Sequence, residues 1–264
     1  MKENRLRYLL NNNLPSVATR ILSNWPTIVE AAGSTGSFDY LEFVAEYAPF
    51  SQADLENFAR AAELSNMSSM IKVDFQNRAY VAQKAMASGF QAILFTDHKT
   101  AEEVSESIYV IRPDTPEYLG RMGYPNRRWI GYTPNAPQMD YAKMARDTVV
   151  AIMIEKKQAM DNIEEICSVS GVDMVQFGPS DYSMSHGWNA SEHVEEYKAA
   201  EREMIKVALK HGIQPRCEIN HPSEAQYYID LGVKHFCIGD ELRNNMTYWN
   251  NVGGEMKKIA DALK

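Results

Sequence analysis

The sequence predicts an α/β protein built as a (β/α)8 barrel, and three observations lead there. The chain has 264 residues, close to the ~250 typical of one such barrel. Eight short apolar runs alternate with longer amphipathic stretches, which is the pattern of parallel βαβ units. No GxGxxG turn occurs, whereas an open dinucleotide-binding sheet usually carries one after its first strand.

The elements follow in order. Residues before Ala18 read as a short N-terminal extension to a single domain spanning 1–264. Ala18–Leu22 is the first strand. Tyr40–Ala45 is the second, followed by a helix over Ser51–Leu64. Met70–Val73 and Ala92–Phe95 come next, each leading into a helix, over Arg78–Ser88 and Thr100–Ile111. Residues 113–146 then form the longest stretch without a strand, rich in Pro, Gly, Tyr and Asn. Loops of that length are usually functional. This one is read as a cover over the substrate, with an oligomer contact as the alternative. Tyr124, Trp129, Tyr132 and Tyr182 fall in or beside the expected mouth. There they either stack on a bulky substrate or pack a loop or subunit interface. Val149–Glu155 and Met174–Phe177 are the fifth and sixth strands, with helices over Ala159–Ser168 and Glu192–His211. Gln214–Ile219, a helix over Pro222–Leu231, and His235–Ile238 complete the set.

Composition narrows the function. Hydrophobic residues at 45% and charged residues at 23% exclude a disordered chain. The net charge is −8, from 27 basic and 35 acidic residues, and repels a phosphate backbone. No nucleic-acid partner is expected. Arg127-Arg128 is the candidate for a local basic patch. Cys167, Cys217 and Cys237 form no CxxC, so neither a disulfide framework nor a cysteine zinc site is expected. No segment reads as a signal peptide or membrane span. A cytoplasmic protein is the expectation.

In a barrel the chemistry sits at the C-terminal ends of the strands. Glu155 ends the fifth strand and Asp181 follows the sixth. Neighbouring strand ends let both carboxylates reach one point. Two hard oxygen ligands with room for water and substrate suit Mg²⁺ or Mn²⁺. The alternative is a surface ion pair of Glu155 with Lys156 or Lys157. Gly178 and Pro179 turn the chain just after the sixth strand, and Gly lets backbone amides approach a ligand. Those amides cradle a carboxylate. A metal carboxylate beside a carboxylate cradle describes a 2-oxo acid site.

Three blocks now carry a resemblance: FDYLEFVAEYAP, GFQAILFTDHKTAEE and IMIEKKQAMDNIEEICSVSGVDMVQFGPSDYSMSHG. Together they resemble the HpcH/HpaI aldolase family of class II, metal-dependent pyruvate aldolases, over roughly Thr19 to Asp240. The resemblance implies a modified barrel that often exchanges its last helix between subunits, as a trimer or a hexamer of two trimers. It implies cleavage of a 4-hydroxy-2-oxo acid to pyruvate, or a related oxo acid, and an aldehyde. Glu155 and Asp181 match the family's metal ligands, with Co²⁺ as a further metal. Gly178, Pro179 and Ser180 match its carboxylate-binding turn.

The departures concern proton transfer. The family's catalytic His falls at Tyr47, the acid before it at Val44, and its substrate-polarising Arg at Lys72. The Gln before the metal Glu falls at Met153, the Asp that partners the His at Ala87, and a Pro at Thr96. The barrel gains charge elsewhere. Glu42, Lys72, Arg216 and Glu218 share the inward parity of their strands, and buried charge calls for pairing. They are read either as a rebuilt catalytic interior or as a structural ion-pair network, with Arg216 pairing a carboxylate. Tyr47 is a proton donor or an apolar wall, and His98 a catalytic imidazole or a solvated loop residue. The expected function is a metal-dependent lyase working through a metal-bound, pyruvate-type enolate. The alternatives are a 2-oxo acid decarboxylase, another lyase on the same enolate, or a catalytically silent binding protein.

Overall fold

A computed structural model describes residues 2–133 and 135–264. Its eight strands close into a parallel barrel in chain order. They are β1 Ser16–Ile21, β2 Tyr40–Val44, β3 Ser68–Val73, β4 Ala92–Phe95, β5 Val149–Ile154, β6 Met174–Phe177, β7 Gln214–Ile219 and β8 His235–Asp240. Alternation along each strand sorts the core into two layers. Ile21, Phe43, Ile71, Phe95, Ile152 and Val175 face the helices. Ala18, Tyr40, Met70, Leu94, Ala151, Met174 and Cys237 fill the barrel itself. A shift in the β1–β8 register between Ala18 and Arg20 pairs Arg20 with Asp240.

Several helices lie outside the pattern of runs, two of them near the N-terminus. Arg5–Asn11 is capped by the Asn4 side chain, which accepts from the Arg7 amide. Its Leu6 packs into the inner layer and plugs the N-terminal end, while Arg7 pairs with Asp173 at 2.6 Å. The extension is therefore part of the barrel's floor. Pro26–Ser34 joins β1 to β2, with Pro at its start. The single helix expected over Ala159–Ser168 is two short ones, Lys157–Asp161 and Ile163–Cys167. They break at Asn162, whose side chain donates to the Lys99 carbonyl at 2.8 Å.

The substrate-cover reading of 113–146 is overturned. The segment follows the helix Ala101–Ile111, not a strand, so it enters at the N-terminal end of the barrel, away from the strand ends. It contains a 3-10 turn, Arg128–Ile130, and a helix, Gln138–Arg146. The Trp129 indole donates to the Met86 carbonyl, and Tyr124 packs edge-on to Tyr141 at 5.5 Å. These rings pack the outside of the barrel. Tyr132 is 60% exposed, and Pro134 lies outside the described residues. Only Tyr182 sits near the strand ends, wedged between Phe177 and His186 at 5.0 and 4.6 Å.

At the C-terminal end, Glu241–Tyr248, a π turn over Trp249–Gly253, and Gly254–Asp261 bury no residue. Leu242, Met246, Trp249, Met256 and Ile259 are each at least half exposed. An apolar groove lined by Ile21, Ile28, Ala32, Phe38 and Ile238 opens beside β8 and β1.

Candidate active site

A cavity of about 150 Å³ opens at the strand C-terminal ends. Its walls include Arg20, Glu42, Lys72, Glu155, Gln176 and Glu218, with the turn Gly178–Asp181 across the mouth. Inward parity delivers each of the six: Arg20, Glu42, Lys72, Gln176 and Glu218 continue the even-numbered inward residues of their strands, and Glu155 continues the odd-numbered Val149, Ala151 and Met153 of β5.

One wall is acidic. Glu155 directly follows β5, is 1% exposed, and accepts from the Asp97 amide at 2.9 Å. Asp97 holds a left-handed backbone, with φ of 63°. Carboxylate oxygens of Glu46, Asp97 and Glu155 lie within 4.8 Å of one another. Asp181 stands in the first turn of the helix Pro179–Ser185. Lys156 reaches Asp97 at 2.7 Å and Asp181 at 3.6 Å. Thus Lys156 pairs with the carboxylates that flank Glu155, whereas the surface pairing considered for it was with Glu155. Burial pushes the Glu155 carboxyl up to about 7. Lys72 and the Asp97 amide oppose this, and Asp181 and Glu46 add to it. The donors are all hard oxygens, crowded around a buried carboxylate short of positive charge. That set fits a divalent ion of the Mg²⁺ or Mn²⁺ type, and the carboxylates that converge are those of Glu46, Asp97 and Glu155.

Gly178 is required by close approach. A Cβ there would stand 2.7 Å from Glu155 Cβ and 3.0 Å from Glu155 Oε2. Gly178→Ala is therefore expected to displace Glu155 and weaken Mn²⁺ binding by roughly the 10–100-fold seen when a metal ligand loses its support. Titration of Mn²⁺ into the variant checks this.

Lys72 sits 2.6 Å from Glu46. Burial alone would lower its ammonium, but Glu155, Glu46 and Glu42 together hold it above the usual value. It is a fixed cation, the opposite of the lowered amine that Schiff-base chemistry needs.

The other wall holds two ion pairs. Arg216 is fully buried beneath the cavity. Its Nε donates to Tyr40 Oη at 2.7 Å, and its remaining nitrogens donate to Gln176 and Glu42. Glu42 is thus Arg216's carboxylate. Glu218 pairs with Arg20 at 2.7 Å, and Arg20 also reaches Asp240 at 3.2 Å. Gln176 donates to the second Glu218 oxygen at 3.3 Å. Burial raises the Glu218 carboxyl, with Arg20 pulling the other way.

Two expected residues lie apart from the cavity walls. His98 is neither solvated nor in the cavity. It is 0% exposed, with Nε2 2.6 Å from Arg78 and 2.8 Å from Ser107, among the outer helices. The left-handed Asp97 before it breaks strand alternation and turns its ring outward. Tyr47 stands on the rim, 81% exposed, and so is no apolar wall. Pro179 and Ser180 are exposed on the turn. Arg20, Glu46, Asp97, Lys156 and Gln176 were not anticipated as site residues. Parity singles out Arg20 and Gln176, and Glu46 stands in the very block FVAEYAP that carries the resemblance.

Burial, then Arg78, pushes His98 down to about 3. Burial, then Lys234, pushes His235 to about 4. Both rings stay neutral in the folded chain, while unfolded His protonates near 6.5. The unfolded state therefore takes up more protons below that pH, and stability falls with acidification. The urea midpoint is expected to drop between about pH 7 and pH 4.5, with NMR showing both rings still neutral in the folded protein.

A parallel barrel with an acid-lined cavity at its strand C-terminal ends defines the class as a (β/α)8 barrel of the kind that carries its chemistry there. The HpcH/HpaI aldolase/citrate lyase family matches residues 22–222, and the chain belongs to it. The chain is 25% identical over 240 residues to the 5-keto-4-deoxy-D-glucarate aldolase of Klebsiella pneumoniae, covering 90% of this chain and 88% of that one. It is 27% identical over 168 residues to the hydroxypyruvate/pyruvate aldolase of Sagittula stellata, covering 63% and 64%. The structure of an HpcH/HpaI aldolase from Desulfitobacterium hafniense superposes with a TM-score of 0.84 at 20% identity, covering 96% of each chain. Among the described residues, no helix is long and apolar enough to cross a membrane.

Proposed function

We propose that this protein is a divalent-metal-dependent aldolase that cleaves or forms a 4-hydroxy-2-oxo acid. The observation that carries the reading is one cavity shared by Glu155, Asp181, Lys72 and the Gly178–Ser180 turn. Glu155 and Asp181 hold the ion, which when bound supplies Lewis acidity that stabilises an enolate. The amides of the turn hold the oxo acid's carboxylate. Lys72 places a positive charge beside the enolate oxygen, less directionally than an Arg would. Among the described residues no imidazole lines the cavity, so the 4-hydroxyl proton passes to a carboxylate of its wall. Retro-aldol assay of a 4-hydroxy-2-oxo acid tests this: pyruvate release with Mn²⁺, lost on chelation, supports it. The missing imidazole favours one other reading, decarboxylation of a 2-oxo acid on the same site. CO₂ release without an aldehyde product would select it.

We also infer a homo-oligomer, a trimer or hexamer, in which the exposed C-terminal helix of one copy covers the apolar groove of another. The solution mass of the full chain, against that of a chain ending before Glu241, tests this.

A further inference from the structure

We propose that the second reactant, the aldehyde, is neutral and hydroxylated, and that Glu218 with Arg20 selects it against carboxylate-bearing aldehydes. This rests on the aldolase reading above and adds to it the class of the acceptor.

The cavity is divided. Lys72, Glu155 and Asp181 belong to the half that takes the oxo acid. Facing them, Arg20 and Glu218 line the wall, and their side chains keep 20% and 31% exposure. That wall is where the second reactant meets the enolate. In the forward direction the enolate carbon attacks the aldehyde carbon and a C–C bond forms. The carbonyl π electrons go to the aldehyde oxygen, which takes a proton from the wall. Cleavage is the exact reverse.

The wall has no cation to spare for an anionic acceptor. Arg20 spends its two terminal nitrogens on Glu218 at 2.7 Å and Asp240 at 3.2 Å. Arg216 is closed off by Glu42, Gln176 and Tyr40, and Lys72 sits on Glu46. Lining carboxylates (Glu42, Glu155, Asp181, Glu218) outnumber lining cations (Arg20, Lys72). A second carboxylate would face Glu218 with like charge, an arrangement that excludes partners. What the wall offers is an acceptor: Glu218 lines the cavity and keeps 31% side-chain exposure. A hydroxyl donates to that carboxylate without bringing a like charge against it.

Glycolaldehyde and glyoxylate form a matched pair, differing only in CH₂OH against COO⁻. Each is offered with pyruvate and Mn²⁺ to the wild type, Glu218→Gln and Glu218→Leu. Either substitution removes the repelling charge and frees an Arg20 nitrogen for a carboxylate. The ratio of kcat/KM for glyoxylate to that for glycolaldehyde is expected to rise about tenfold or more in both variants. General damage to the fold would not raise it. An unchanged or falling ratio in both variants overturns the proposal. So does loss of both reactions with retained exchange of pyruvate methyl protons, which would make Glu218 a proton-transfer residue instead. Absence of that exchange in the wild type removes the aldolase reading, and this proposal with it.

Discussion

Glu155→Gln or Asp181→Asn is expected to abolish Mn²⁺ binding and reduce turnover by about three orders of magnitude or more. A Lewis acid at a developing enolate is worth several kcal/mol, and each 1.36 kcal/mol is tenfold in rate. The fold should survive. Glu155 closes no ion pair of its own, since its bond is to the Asp97 amide, and Asp181 is partly exposed with only a 3.6 Å contact to Lys156. Circular dichroism and melting temperature should stay near wild type while calorimetry registers no ion. A variant that binds Mn²⁺ normally, or turns over at full rate, contradicts the assignment of the ligands.

Glu42→Gln should have the largest effect on stability. It leaves the fully buried Arg216 charge without its carboxylate, and breaking such a pair costs about 3–5 kcal/mol. For a chain of this size that is a loss of roughly 6–20 °C in melting temperature. Replacing both partners, as Glu42→Leu with Arg216→Met, should recover much of the loss, because an apolar pair escapes the desolvation penalty. Turnover per folded molecule should change little in Glu42→Gln. A stable but inactive Glu42→Gln would return this carboxylate to acid–base work.

The barrel was legible because each strand announced itself as an apolar run and each inward residue by parity. Parity grouped Glu42, Lys72, Arg216 and Glu218, and the structure puts Glu42, Lys72 and Glu218 on one cavity with Arg216 buried beneath it. It failed where the backbone leaves the strand: Asp97 takes a left-handed turn, so His98 points into the helix layer, and nothing in its neighbours signals this. Long-range pairing was only half legible. Arg216 was expected to meet a carboxylate and meets Glu42, but Arg20, which meets Glu218, lies on a distant strand and drew no attention as a lone cation. The misplacement of residues 113–146 was avoidable. A helix separates that segment from the fourth strand, so topology alone sends it to the far end. The helix Arg5–Asn11 has only Leu6, Leu9 and Leu10 as its apolar face, too short a pattern to separate from a tail.

The central claim is that this chain holds a 2-oxo acid so that a divalent ion acidifies the adjacent carbon. Incubating pyruvate with the protein in D₂O and following its methyl signal by ¹H NMR tests it without any acceptor. With Mg²⁺ the methyl protons should exchange for deuterium far faster than in buffer with the ion alone, and exchange should stop on chelation and in Glu155→Gln. Exchange no faster than in the protein-free control, with the ion demonstrably bound, would contradict it.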